Sequence, residues 1–372
     1  MQRVTVFGRQ VDAHSIERLI ESIHDGWLGL GARTREFEER IRTMLGASGR
    51  HVIATNSGTA ALHIALLAAG VSRGDEVITP SFTYVSAAQA ITACGAEVVF
   101  CDIREDNLGI DCDKAEHLIT DRTKAILPLH FAGIPCDIAA VYRLARRHNL
   151  RVIEDACNAF GSSLNGEVIG SHGDLACFSF DPTKIITTVD GGAVVSGDKA
   201  EWELLKRLRF LGKDRPPDAR LHGMDYDVTG PGFRYYMTNV MASIGIAQID
   251  QLPELIASRR TVCRAYNDVF GKIAGLITPR TDFADVSPWI YSVRVSEARR
   301  SALSQHLNRL GIETNVYFLP VHRFSFYKAA RRGPLSVTEL VGDEVLTLPL
   351  HSRMKLESVE RVIHGVISFF HF

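Results

Sequence analysis

Between residues 51 and 196, seven short runs of strand-forming residues recur, most of them separated by helix-length segments; nothing else constrains the fold as tightly. The runs are HVIAT (51–55), EVITP (76–80), AEVVFCDI (96–103), KAILPLHF (124–131), RVIED (151–155), ACFSF (176–180) and GAVVS (192–196). They are near-continuously apolar, so a sheet built from them needs cover on both faces. Segments of helical period at 59–70, 85–95 and 138–149 supply that cover, which predicts an α/β fold around a mainly parallel, seven-stranded sheet. Only eleven residues separate the last two runs, too few for a comfortable helical crossover, so the seventh strand is expected to be antiparallel.

Further along, 199–214 reads as one helix, 214–232 as an irregular Gly/Pro/Asp-rich loop, and 237–252 as a helix stopped by Pro253 and resumed at 255–273. After Thr278 the pattern changes to WIYSVRV, a helix near 297–310, NVYFLP and a terminal helix from Leu356. This predicts a large domain over 1–252 and a smaller α/β domain over 253–372, with the N-terminal segment packed against the latter.

Charge narrows the partners. Forty-two basic and 43 acidic residues leave a formal charge of -1, with no cationic surplus to neutralise a nucleic acid backbone. The seven cysteines form no C-x-x-C pair and read as reduced thiols. The N-terminus has no apolar signal region, and the most apolar stretch, 60–71, is too short to span a bilayer. The expected setting is the cytoplasm, with no membrane partner. The fourteen histidines show no metal-ligand spacing, so no metal is expected.

In open sheets of this kind ligands bind beyond the carboxyl ends of the strands. After HVIAT come Asn56, Ser57, Gly58 and Thr59, opening an apolar helix. Ser and Thr there are ordinary helix caps; the same turn also offers unused N–H groups and two hydroxyls to a single phosphate. Asp155 ends the RVIED run and could cap a helix, bind a metal or pair with a cationic heterocycle. Lys184 lies four residues past ACFSF, in a Thr-rich turn where a lysine is usually solvated. Together, a phosphate turn, a strand-end carboxylate and a lysine are the fixtures that pyridoxal 5′-phosphate requires, with Tyr84 beyond EVITP placed to cover its ring.

Longer segments carry a resemblance: GWLGLGARTREFEERI, NSGTAALHIALLAAGVSRGDEVITPSFTYVSAA, LHFAGIPCD, IEDACNAFG, FSFDPTKIITTVDGG, YYMTNVMASIGIAQIDQL and VYFLPVH, in that order over nearly the whole chain. The chain resembles the fold-type I pyridoxal-phosphate enzymes, and among them the sugar aminotransferases of the DegT/DnrJ/EryC1/StrS family. The resemblance implies that Lys184 holds the cofactor covalently and shuttles the proton, that Asp155 partners the pyridine nitrogen, and that Tyr84 stacks on the ring. It implies phosphate contacts from Ser57, Gly58, Thr59 and Ser179. Asn158 falls where the family has a longer side chain near the ring hydroxyl. Trp27, Tyr317 and His322 match substrate-side positions. The family forms homodimers with shared active sites, so Arg234, standing where an asparagine is usual, would reach the partner's phosphate.

Lysine rather than histidine at 184 argues against the relatives that dehydrate sugars at C3. The implied reaction moves the amino group of L-glutamate onto a nucleotide-linked keto-deoxyhexose, for a surface polysaccharide or an antibiotic sugar. KIITT and YYMTNVMASIGIAQ look like enzymes aminating C4 of 4-keto-6-deoxy sugars, of the perosamine-synthase type. PTK with DGGAVV looks like the C3-aminating relatives. C4 is favoured. A keto-cyclitol acceptor and a non-catalytic cofactor-fold binding protein are the rival readings.

Overall fold

The computed structural model describes residues 3–8, 11–214 and 226–370. Two helices come first, α1 (Ala13–His24) and α2 (Ala32–Leu45). The alternation follows: β1 (His51–Thr55), α3 (Gly58–Ala68), β2 (Glu76–Pro80), α4 (Val85–Ala93), β3 (Glu97–Cys101), α5 (Cys112–Glu116), β4 (Thr123–Ile126), α6 (Ile138–Arg147) and β5 (Arg151–Asp155). A hairpin of β6 (Ser163–Leu164) and β7 (Glu167–Val168) precedes β8 (Leu175–Ser179) and β9 (Gly192–Ser196). Next come α7 (Lys199–Arg209), β10 (Lys213–Asp214), β11 (Asp227–Val228), α8 (Asn239–Asp250) and α9 (Leu252–Phe270). The chain closes with β12 (Leu276–Ile277), β13 (Tyr291–Val295), α10 (Glu297–Arg309), β14 (Arg331–Arg332), α11 (Ser336–Glu344), β15 (Val345–Leu348) and α12 (Leu356–Phe370).

The main sheet has the order β1-β9-β8-β5-β4-β2-β3-β14, eight strands rather than seven. The added strand is the two-residue Arg331–Arg332, pairing parallel to β3 at the edge; being basic and very short, it carries no strand pattern. β9 runs antiparallel to both its neighbours, as the short connection required. Both faces are buried. Ile53, Val77, Ile153 and Val194 pack under α3, α4 and α7, while Val52, Ala54, Ala176 and Val195 on the opposite face meet α2 and α8. Because side chains alternate along a strand, this two-sided burial is what a near-continuous apolar run encodes.

Several boundaries differ from expectation. Pro253 does not stop a helix; it lies in the first turn of α9, where its missing N–H would have no intrahelical partner anyway. The helix expected over 199–214 ends at Arg209. The loop expected over 214–232 lies partly outside the described residues, and Asp227–Val228 within it pairs with Lys213–Asp214. NVYFLP forms no strand beyond a bridge from Asn315 to Thr347, whereas β15 joins the antiparallel sheet β12-β13-β15.

That second sheet has its own core, with Tyr266, Tyr291, Val293, Leu303, Leu346 and Val362 among its members. The N-terminal segment packs there: Val4 is in this core and bridges to Ile312. α9 links the two parts, with Leu252 and Ile256 in the core under the main sheet and Cys263, Tyr266 and Phe270 in the C-terminal one.

Candidate active site

At the carboxyl ends of β1, β5 and β8 the chain forms a cleft of about 360 Å³. Its walls include Ser57, Gly58 and Thr59, Tyr84, Asp155, Asn158, Ser179 and Lys184, with Tyr317 from the C-terminal part. The sheet register assembles one end: Thr55 and Ser179 both pair with Gly192, the first residue of β9. Both glycines here are dictated by space. A Cβ on Gly192 would lie 2.5 Å from the Ser57 carbonyl oxygen, and one on Gly58 would lie 2.7 Å from Ser179 Cβ.

α3 starts in this wall, so the N–H groups of its first turn are left without intrahelical partners. Ser57 is indeed its cap, the Oγ accepting the Ala60 N–H at 3.1 Å. The capping reading of the sequence is therefore correct, and the hydroxyl proton remains to donate toward the cleft. Ser179, across from Gly58, adds a second hydroxyl. This concave end offers N–H and O–H donors to an anion, and the two glycines leave it room.

Asp155 is buried at 2% exposure, and its Oδ1 accepts the Cys157 N–H at 3.1 Å. Burial pushes its carboxyl above the usual range, against the Cys157 hydrogen bonds and the positive charges of Lys184 and His130. A desolvated carboxylate facing a cleft favours a cationic partner, which the protonated nitrogen of a pyridine ring supplies. Behind it, His130 Nε2 meets Glu154 Oε2 at 3.0 Å and Tyr142 donates to Glu154 Oε1 at 2.8 Å.

Lys184 projects into the same cleft. Its Nζ donates to Asn158 Oδ1 at 2.8 Å, so Asn158 is a partner of the lysine. Asp181 Oδ2 is 3.6 Å away, and the same side chain caps the turn by accepting the Thr183 N–H. Tyr84, 57% exposed, lies over the cleft and leans on Phe318, their ring centroids 5.9 Å apart. Donor turn, buried carboxylate, lysine and aromatic cover thus share one cavity, and these residues fit pyridoxal phosphate.

Three predicted positions lie outside this cleft. Trp27 is exposed, its indole N–H donating to the Leu30 carbonyl at 2.9 Å. Arg234 is exposed and held by the Tyr236 hydroxyl at 3.0 Å. His322 is buried instead: its Nδ1 meets Ser81 Oγ at 2.8 Å and its Nε2 lies 3.3 Å from Glu339. It therefore braces the segment leading to Tyr84 and does not line the cleft. Sequence reasoning missed Trp289, Phe318, Asp181 and Asp190 in the walls. Trp289 opens a run that looked only like a strand, and no local spacing ties it to a lysine over a hundred residues earlier.

Among the described residues no helix is long and apolar enough to cross a membrane. The profile of the DegT/DnrJ/EryC1/StrS aminotransferase family matches residues 9–367. A GDP-perosamine synthase from Caulobacter vibrioides is 36% identical over 370 residues, 98% of this chain and 97% of that protein. The crystal structure of the aminotransferase TlmJ from Streptoalloteichus hindustanus superposes with a TM-score of 0.92 at 33% identity, covering 99% of both chains. Helicobacter pylori PseC, an aminotransferase involved in the biosynthesis of pseudoaminic acid, gives a TM-score of 0.92 at 25% identity over 100% of both.

Proposed function

Since the chain belongs to the DegT/DnrJ/EryC1/StrS family, and is therefore a pyridoxal-phosphate-dependent sugar aminotransferase, we propose that it moves the amino group of L-glutamate to C4 of a nucleotide-linked 4-keto-6-deoxyhexose. The supporting observation is the likeness to GDP-perosamine synthase along essentially the full length of both chains; perosamine carries its amino group on C4. The net reaction is glutamate plus keto sugar giving 2-oxoglutarate plus amino sugar.

When bound, the cofactor supplies an electron-accepting ring and a carbonyl carbon that takes and returns the amino group. The chain's residues do the rest. The N–H groups at Gly58 and Thr59, with the hydroxyls of Ser57, Thr59 and Ser179, hold the phosphate. The Asp155 carboxylate holds a proton on the pyridine nitrogen, and its burial strengthens that charge-assisted bond. The Lys184 amine anchors the cofactor and moves the proton between the substrate carbon and the cofactor. Tyr84 covers the ring, while Asn158 Oδ1 directs the lysine. Tyr317 faces the acceptor side. Trp27 and, in a homodimer, the partner-reaching Arg234 remain the outer contacts the resemblance implies, while His322 braces Ser81 from behind. We place the large cofactor domain at 1–252, the small one at 253–372, and the enzyme in the cytoplasm.

The test is spectroscopic. Glutamate should bleach the visible cofactor band, and a 4-keto-6-deoxy nucleotide sugar should restore it, with GDP-, dTDP- and UDP-linked acceptors compared. Restoration by a 3-keto isomer alone would make the enzyme a C3 aminotransferase.

A further inference from the structure

Lys184 is held in a specific place rather than left as a solvated side chain. Besides its 2.8 Å bond to Asn158 Oδ1, the Nζ lies 3.7 Å from the centre of the Trp289 ring, over its face. Trp289 is itself fixed. It is buried at 3% exposure, and its indole N–H donates to the Thr183 carbonyl at 3.1 Å, with Thr183 Oγ1 at 3.3 Å. Its carbonyl accepts from Arg259 Nη1 at 2.8 Å, while the other arms of that fully buried guanidinium reach Ser352 Oγ at 2.9 Å and the Lys184 carbonyl at 3.4 Å. The lysine's backbone and the face beneath its ammonium therefore belong to one hydrogen-bonded unit. Such a unit holds an ammonium where water is scarce, through a carbonyl oxygen, a π face and a carboxylate at 3.6 Å.

We propose that Trp289, with Asn158, forms a berth for the Lys184 ammonium whenever the lysine is disengaged from the cofactor, and that this berth sets the balance between the lysine-linked and lysine-released states. The inference rests on Lys184 being the cofactor lysine. In the glutamate half-reaction the donor's nitrogen passes to the cofactor, water supplies the keto oxygen of 2-oxoglutarate, and the lysine nitrogen leaves as an amine that takes up one proton. Stabilising that ammonium favours release. Trp289 is thus a positioning residue that acts through Lys184.

The test is the glutamate to 2-oxoglutarate ratio that half-bleaches the visible band of the holoenzyme, in wild type, Trp289→Phe and Trp289→Leu. Cation–π attraction converts to about 2- to 30-fold in that ratio at 1.4 kcal/mol per tenfold. The leucine variant should need a ratio higher by that factor, and the phenylalanine variant, which keeps a weaker π face, should fall between. In the cofactor-free chain, acylation of Lys184 by an amine reagent, located by peptide mass spectrometry, should quicken in the same order. A packing role alone would slow both directions and leave the ratio where it was. If the leucine variant does not fold, the phenylalanine variant decides by the same direction of shift. Equal ratios in folded variants overturn the berth. A Lys184→Ala chain that glutamate bleaches at the wild-type ratio would overturn the assignment of Lys184, and the berth with it.

Discussion

Replacing Asp155 by Asn separates what this residue does for the cofactor from what it costs the fold. The carboxylate is buried with the Cys157 N–H on Oδ1, and an amide oxygen can keep that bond. Its burial outweighs the opposing charges of Lys184 and His130, so the ionised form is held against a net penalty when no cofactor is bound. The sign follows. An acid whose folded value is raised contributes stability below its unfolded value, near about pH 4, and that contribution is lost as pH rises through the folded value. At neutral pH the cofactor-free Asp155→Asn protein should therefore melt no lower than wild type. Its loaded form should lose the reverse. A hydrogen bond to a charged partner contributes about 1.5–3 kcal/mol, or roughly 10- to 150-fold in cofactor affinity, with a comparable further loss in the rate of the glutamate half-reaction. Thermal melts with and without cofactor, paired with stopped-flow absorbance, measure both. A variant that melts lower without cofactor yet reacts with glutamate at the wild-type rate would refute the reasoning.

Other consequences follow from particular contacts. Gly58→Ala sets a Cβ 2.7 Å from Ser179 Cβ, so it should cost about 1–3 kcal/mol of stability and weaken cofactor binding, read by equilibrium dialysis. His322→Leu removes the partner of Ser81 and Glu339 in a buried spot; roughly 1–3 kcal/mol should disappear from the unfolding free energy in urea. Burial, with the nearby Arg259 charge, lowers the His351 imidazole to about 4. The unfolded chain then takes up this proton first, so stability is lost as pH falls from about 6.5 toward 4. His351→Asn should flatten that acid limb in pH-dependent melts.

The strand-end rule made much of this site legible. Apart from Arg234, each residue of the proposed cofactor set lies at the end of a β-run or follows one within a few positions, so Asp155, Lys184 and the turn at 57–59 could be singled out from local pattern, while Ser179 was named by resemblance. Trp289, Tyr317 and Phe318 reach the cleft from the C-terminal part through tertiary packing, which no local period encodes. Of these only Tyr317 was named, and by resemblance. The same limit explains Asn158, whose Oδ1 meets Lys184 because β5 and β8 are neighbours. It explains His322 too, which the VYFLPVH resemblance set beside the substrate and the fold turns onto Ser81. Arg331–Arg332 completes a sheet without any apolar signal, since an edge strand needs only backbone pairing.

The most direct measurement is a coupled turnover with ¹⁵N-labelled L-glutamate and a nucleotide-linked 4-keto-6-deoxyhexose, with the product's nitrogen located by NMR. The account predicts ¹⁵N bonded to C4, formed by the wild-type enzyme and absent with Lys184→Ala. Label at C3, or label transferred equally well without Lys184, would contradict it.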